Sequence, residues 1–194
     1  MLNFQRITVG FVAVILSISA GFSVAAPQQE QKYETLDWIA LMPQDDLDAL
    51  MNPPDFLLDI QDGSQQDSVE AFGEIPPDDQ KTQRFRQALR STQVVKTYEN
   101  KAIRLPGFIV PLQSNEAQLV TEFFIVPYFG ACLHMPPPPP NQIIYVVLEK
   151  GLALDNLYDA FWFEGVLTTE TIENEMGASA YRLRLDNVIP YPDE

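Results

Sequence analysis

From Val94 onward the apolar residues recur at every second position, and this period constrains the fold more than any other feature of the chain. Alternation of this kind places successive side chains on opposite faces of a strand. Residues 102–112, 160–169 and 180–187 follow it cleanly; in the last of these Tyr181, Leu183 and Leu185 oppose Arg182, Arg184 and Asp186. Residues 122–128 and 143–149 are apolar on both faces, as strands covered on both sides are. A further strand is expected over 94–98, joined to 102–112 at Glu99-Asn100-Lys101, where Asn100 is the residue best able to take a left-handed conformation. Residues 152–158 read as a short helix. Gly107 and Gly165 stand where a barrel wall would bend. The expected fold class is mainly β (α+β): an OB-like five-stranded β-barrel with long first and fourth strands. A β-sandwich fragment is the competing arrangement.

The N-terminal residues carry a different signal. Arg6 precedes an apolar run over 7–20, and Ser23-Val24-Ala25 follows with small residues at the positions a signal peptidase reads. Cleavage is expected after Ala25, leaving residues 26–194 in the periplasm with no membrane span. The only cysteine excludes an internal disulfide, so the exported domain has to rest on its apolar core.

Residues 26–92 read as an acidic, partly helical wrap, and 93–194 as the barrel domain. Tyr33, Leu36, Trp38, Ile39 and Leu41 form an apolar cluster; Leu47, Leu50 and Met51 are spaced for one face of a short helix behind Asp45-Asp46. Residues 61–68 read as an open loop. A second helix is expected over 79–91, capped by Asp78 or Asp79, with Phe85, Ala88 and Leu89 on its inner face. Residues 27–79 hold fourteen acids and one base, whereas 81–104 hold seven bases and one acid. An acidic wrap lying on a basic helix of the same molecule accounts for this asymmetry; a partner-docking surface is the other reading. The formal net charge of −15 argues against nucleic acid, whose phosphates would be repelled.

Residues 129–142 read FGACLHMPPPPPNQ and hold both unique residues, Cys132 and His134, two positions apart. Thiolate and imidazole are ligands that zinc and copper prefer, and residues two apart on a strand share a face. A full metal site needs more donors: a carboxylate such as Glu122, Met135 for Cu(I), or a second copy in a homodimer. The same pair read otherwise is a thiol nucleophile beside a base, or a buried cysteine with a hydrogen-bonded histidine. Pro136, Pro137, Pro138, Pro139 and Pro140 should form a polyproline II segment. It serves either as a rigid arm for a partner's aromatic groove or as a stiff loop covered by Trp38, Tyr128 or Phe129. Asn141 and Gln142 are expected to tie it to the next strand through their amides. Asp45, Asp46 and Asp48 lack the glycine and terminal glutamate of an EF-hand and read as a solvated face. Trp38 and Trp162 read as core or barrel-plug residues.

The strings RLPGFIVPL at 104–112, EFFIVPYFGACLHMPPPPPNQIIYV at 122–146, and FWFEGVL followed by SAYRLRLDNVIPY resemble the bacterial family DUF3299, a domain of unknown function. The resemblance spans roughly residues 33–192. It implies an exported, OB-like protein of unassigned activity, and an association with envelope ABC transporters or metal handling. Three functions follow as expectations: a binding or accessory protein using the Cys132-His134-proline loop, a thiol-dependent enzyme using Cys132, and a purely structural interaction module.

Overall fold

The computed structural model describes residues 33–61, 64, 79–131 and 137–192. The expected signal segment, most of the 61–68 loop, and Cys132, His134, Met135 and Pro136 lie outside the described residues. Five strands carry the fold: β2 (Ala102–Ser114), β3 (Val120–Val126), β4 (Ile144–Leu152), β5 (Ala160–Asn174) and β6 (Gly177–Pro190). They hydrogen-bond in the order β2-β3-β4-β6-β5, and β5 returns to β2, which closes the barrel. All pairings in this ring are antiparallel except β4 with β6. That is the strand order of an OB barrel, as the alternation predicts. A two-residue strand, β1 (Glu34–Thr35), runs parallel to the start of β2.

The interior is filled by the alternating set: Ile103 and Leu105 of β2, Phe123 and Ile125 of β3, Phe163 and Leu167 of β5, Tyr181 and Leu183 of β6. The outer-facing Phe124 and Val126 of β3 are also fully buried, in a second cluster with Ala131 and Ile143. These are the feet of the proline loop, so β3 is covered on both faces as its sequence requires. β2 changes partner midway. Residues from Ala102 to Phe108 pair with β5, and those from Phe108 onward pair with β3. Gly107 stands at the changeover, where a Cβ would lie 2.7 Å from Ile125 Cγ2 and 2.8 Å from the Val126 carbonyl oxygen. A Cβ on Gly165 would run into the Arg184 carbonyl, and the β5–β6 register shifts at that residue.

The N-terminal segment closes one end of this core. A 3₁₀ turn (Trp38–Leu41) buries Leu41 completely, and Leu36 joins the same cluster. Trp38 packs against the core and donates its indole N–H to the Pro106 carbonyl at 2.7 Å, the plug role its sequence suggests. Helix α1 (Gln44–Met51) follows, then α2 (Asp55–Leu58) and α3 (Gln80–Leu89). Asp79 caps α3, accepting from the Thr82 amide at 2.8 Å and its hydroxyl at 3.0 Å; these bonds hold the Asp79 carboxyl below its usual range. Lys81 pairs with Asp55 at 2.9 Å, and Arg84 with Asp45 and Asp46 at 3.1 and 2.7 Å, so the acidic segment does lie on the basic helix.

Four expectations are corrected. Residues 94–98 form no strand: Val95 donates its N–H to the Tyr181 hydroxyl at 2.7 Å, and a 3₁₀ turn (Lys96–Tyr98) leads into Asn100, whose φ of 59° is left-handed as expected. Residues 152–158 are not helical. The Asn156 side chain accepts from the Tyr158 amide at 3.1 Å and donates to Asp159 at 2.6 Å, which turns the backbone instead. Ile39 and Met51 are exposed, and the buried residue of α1 is Asp46. Trp162 faces outward, since alternation around the inward Phe163 leaves it no other side.

Replacing Gly107 by alanine should lower unfolding free energy by about 1–3 kcal/mol, because the new methyl meets a backbone oxygen that the β2–β3 ladder holds in place. Urea denaturation checks this; an unchanged midpoint would show that the wall can give at that point.

Candidate functional site

The proline loop leaves β3 through a turn at 127–131 and returns through Pro137–Pro139 to a 3₁₀ turn (Pro140–Gln142). Pro139 keeps polyproline-like angles, φ −65° and ψ 158°, and is buried. The rod ends there. The two amides after it turn toward the N-terminal segment, and not toward the next strand. Gln142 donates to the Trp38 carbonyl at 2.8 Å; Asn141 donates to Asp46 Oδ2 at 3.2 Å and to the Gln93 carbonyl at 3.1 Å. The physical reason is that β4 has its backbone committed to β3 and β6, whereas Asp46 is 2 % exposed and requires donors on every oxygen. Asp46 is therefore a buried anchor and not the solvated acid its neighbours suggest.

Glu122, the carboxylate nearest in sequence to the Cys132-His134 pair, sits at the other end of β3, paired with Gln113. Four residues of strand, about 13 Å, separate it from Val126 and the start of the loop. Its Oε2 accepts the Tyr145 hydroxyl at 2.8 Å, in a shallow cleft of about 400 Å³ closed by Ile172 and Met176 of the β5–β6 hairpin. Burial first, and then the Glu122 carboxylate, push the Tyr145 phenol up to about 12. Among the described residues no group of three or more His, Cys, Asp or Glu is arranged to hold a metal ion.

A surface that sequence reading missed lies at the loop's first foot. The Phe129 ring stacks on Tyr158 with centroids 4.3 Å apart and meets the Phe108 ring edge-on at 6.3 Å. Across a cleft of about 450 Å³, Tyr191 stacks on Trp162 at 5.2 Å, and the Arg104 guanidinium covers the Trp162 ring at 4.3 Å. Tyr158 is 69 % exposed, and Phe129 and Tyr191 are each about 40 % exposed. Asp155 and Asp159 stand in the lining with Phe161, and among the described residues the lining contains no basic one. The available signal was position: these rings sit in turns or at strand ends, where alternation gives them no inward face.

The family model for DUF3299, a protein of unknown function, matches residues 38–190. The crystal structure of a DUF3299 family protein from Pseudomonas aeruginosa PAO1 is similar at 36 % identity with a TM-score of 0.60, covering 84 % of this chain and 99 % of that one. No curated protein matches the chain.

Two measurements check the anchoring. Asp46→Ala should cost about 2–3 kcal/mol by removing the buried acceptor that Arg84 and the Asn141 amide share, whereas Asp45→Ala, at an exposed partner of the same arginine, should cost under about 0.5 kcal/mol. Equal losses in urea denaturation would remove Asp46 from its anchoring role. Phenolate absorbance should show Tyr145 and Tyr181 titrating near pH 12, both raised mainly by burial. Because their folded values lie above the unfolded value near 10, their contribution to stability is complete below about pH 10 and is lost as pH rises through 12. Titration of every tyrosine near pH 10 in the folded protein would contradict the burial of both.

Proposed function

The chain belongs to the DUF3299 family, and from that premise we propose that it is an exported, periplasmic binding or accessory protein whose contact surface is the aromatic end of the barrel beside the Cys132-His134 loop. One observation carries the reading: Phe129 and Tyr158 are stacked on each other on a closed barrel, with Tyr158 largely and Phe129 partly open to water. Rings of this size contribute most when a partner desolvates them, and a rigid support lowers the entropy cost of doing so. Cys132 stands three residues after Phe129 in the sequence, so the rings and the Cys132-His134 pair belong to one stretch of chain.

The export half of the reading rests on Arg6, the apolar run that follows it, and Ser23-Val24-Ala25. No helix among the described residues is long and apolar enough to cross a membrane. Envelope transporter components are the partners such a protein would serve. The adjacency of the only cysteine and the only histidine favours a metal role as well, with Zn(II) or Cu(I) held by Cys132 and His134 and completed by Met135, a carboxylate or a second copy.

Cell fractionation with intact mass, followed by elemental analysis after loading Zn(II) or Cu(I), tests both halves. The expected result is a periplasmic protein beginning at Ala26, holding about one metal per chain or per dimer, with the metal lost in Cys132→Ala/His134→Ala. An uncut cytoplasmic protein would end the export reading. Equal metal content in wild type and double variant would end the metal reading.

A further inference from the structure

We infer that the cleft between Tyr158 and Tyr191 is a docking site for an extended polypeptide segment bearing arginine or lysine. This inference deepens the binding reading above and rests on it. Four aromatic residues, Phe108, Tyr158, Phe161 and Tyr191, line the cleft together with the exposed carboxylates of Asp155 and Asp159. Aromatic faces carry negative potential and attract cations, and two acids at the same mouth add to that field. Among the described residues no lysine or arginine lines the cleft to neutralise it. The complementary occupant is therefore cationic.

The molecule already shows the contact in its own structure. Arg104 lays its guanidinium on Trp162 at 4.3 Å, with Glu164 at 3.5 Å from its Nε, and Trp162 in turn stacks on Tyr191. One ring further along this row the cleft offers the same elements, ring face and carboxylate, without the guanidinium. The size of the surface argues for a polypeptide. A space of about 450 Å³ takes a single side chain with its flanking residues, while the exposed Phe129, Leu157 and Ile189 extend the apolar surface well beyond what a small cation would cover.

The protein as recovered from cells should be titrated with capped tripeptides, Ala-Arg-Ala, Ala-Lys-Ala, Ala-Glu-Ala and the citrulline analogue of the first. Binding is followed by tyrosine and tryptophan ring resonances and repeated at raised salt. The arginine and lysine peptides should shift the Tyr158 and Tyr191 resonances, and the glutamate and citrulline peptides should not. Asp155→Asn/Asp159→Asn should weaken binding about fivefold, the effect of two modest surface charge contacts. Glu116→Gln/Glu149→Gln, which removes two exposed charges away from the cleft, should leave it unchanged; each variant's melting temperature verifies its fold. Equal weakening by both charge pairs would reduce the effect to the protein's overall acidity and overturn the site. Equal binding of arginine and citrulline peptides, abolished by Tyr158→Ala, would keep the aromatic face as a contact surface and overturn only its cationic occupant. A concentration-dependent dimer that blocks peptide binding and is lost in Tyr158→Ala would assign the face to a second copy instead. No ring shift with any peptide would overturn the inference while leaving export and metal loading to be decided by their own measurements.

Discussion

β2 is a thirteen-residue strand that two neighbours share, and closure of the barrel depends on it. Its first half hydrogen-bonds β5 and its second half β3, so the two halves point along different walls of the same barrel. A strand can serve both only if its backbone comes close to another at the crossing, and Gly107 permits this by presenting no Cβ to Val126 and Ile125. From that crossing the geometry of both ends follows. Phe108 is thrown outward next to Val126 and Ala160, where the aromatic cleft forms, while Leu112 and Gln113 run on to the Glu122–Tyr145 cleft at the opposite end.

The N-terminal segment is joined to this barrel by buried polar contacts as well as by apolar ones. Leu36 and Leu41 add area to the core, which is non-directional. The direction comes from Tyr181, fully buried, which donates to the Leu41 carbonyl at 2.8 Å and accepts from Val95. It also comes from Asp46, which gathers Arg84 of α3 and Asn141 of the proline loop on one carboxylate. Three stretches far apart in sequence thus meet on two side chains, each of which serves two partners at once. The return of the proline loop is fixed in the same network: its second foot is tethered by the hydrogen bond from Asn141 to the ion-paired Asp46, which alternation could not reveal.

The barrel was legible because burial on one face writes itself as a period of two, and because paired strands must all obey it. β2, β5 and β6 were recognisable on that ground, and β3 and β4 as short runs apolar on both faces. What failed were places where hydrogen bonding overrides pattern. Val94 to Tyr98 looks like a strand by composition, but Val95 gives its amide to a tyrosine hydroxyl. Residues 170–174 of β5 are rich in acids on both sides, so they showed no alternation, although the β5–β6 ladder runs on to Asn174. Asp46 was indistinguishable from Asp45 and Asp48, since nothing local marks which acid of a run will be enclosed by a distant arginine. The cleft rings escaped for a related reason: Phe129, Tyr158 and Tyr191 meet only through tertiary structure, and a turn aromatic has no periodic partner to announce it.

OB barrels commonly bind ligands on the face of their second and third strands with the loops at its edge, which is analogy at the level of fold. Here those strands are β3 and β4. Their outer face is divided between Phe124 and Val126, buried with the feet of the chain's own loop, and a cleft lined by Glu122, Glu173 and Glu175. A net charge of −15 with three carboxylates in that position disfavours a phosphate backbone there. The largely open aromatic surface is instead at the other end of the same strands, where the loop departs. With Phe124 and Val126 buried against Ala131 and Ile143, the exposed rings lie at the loop's foot, and the acidity that disfavours a polyanion on β3 and β4 would favour the proposed cation between Tyr158 and Tyr191.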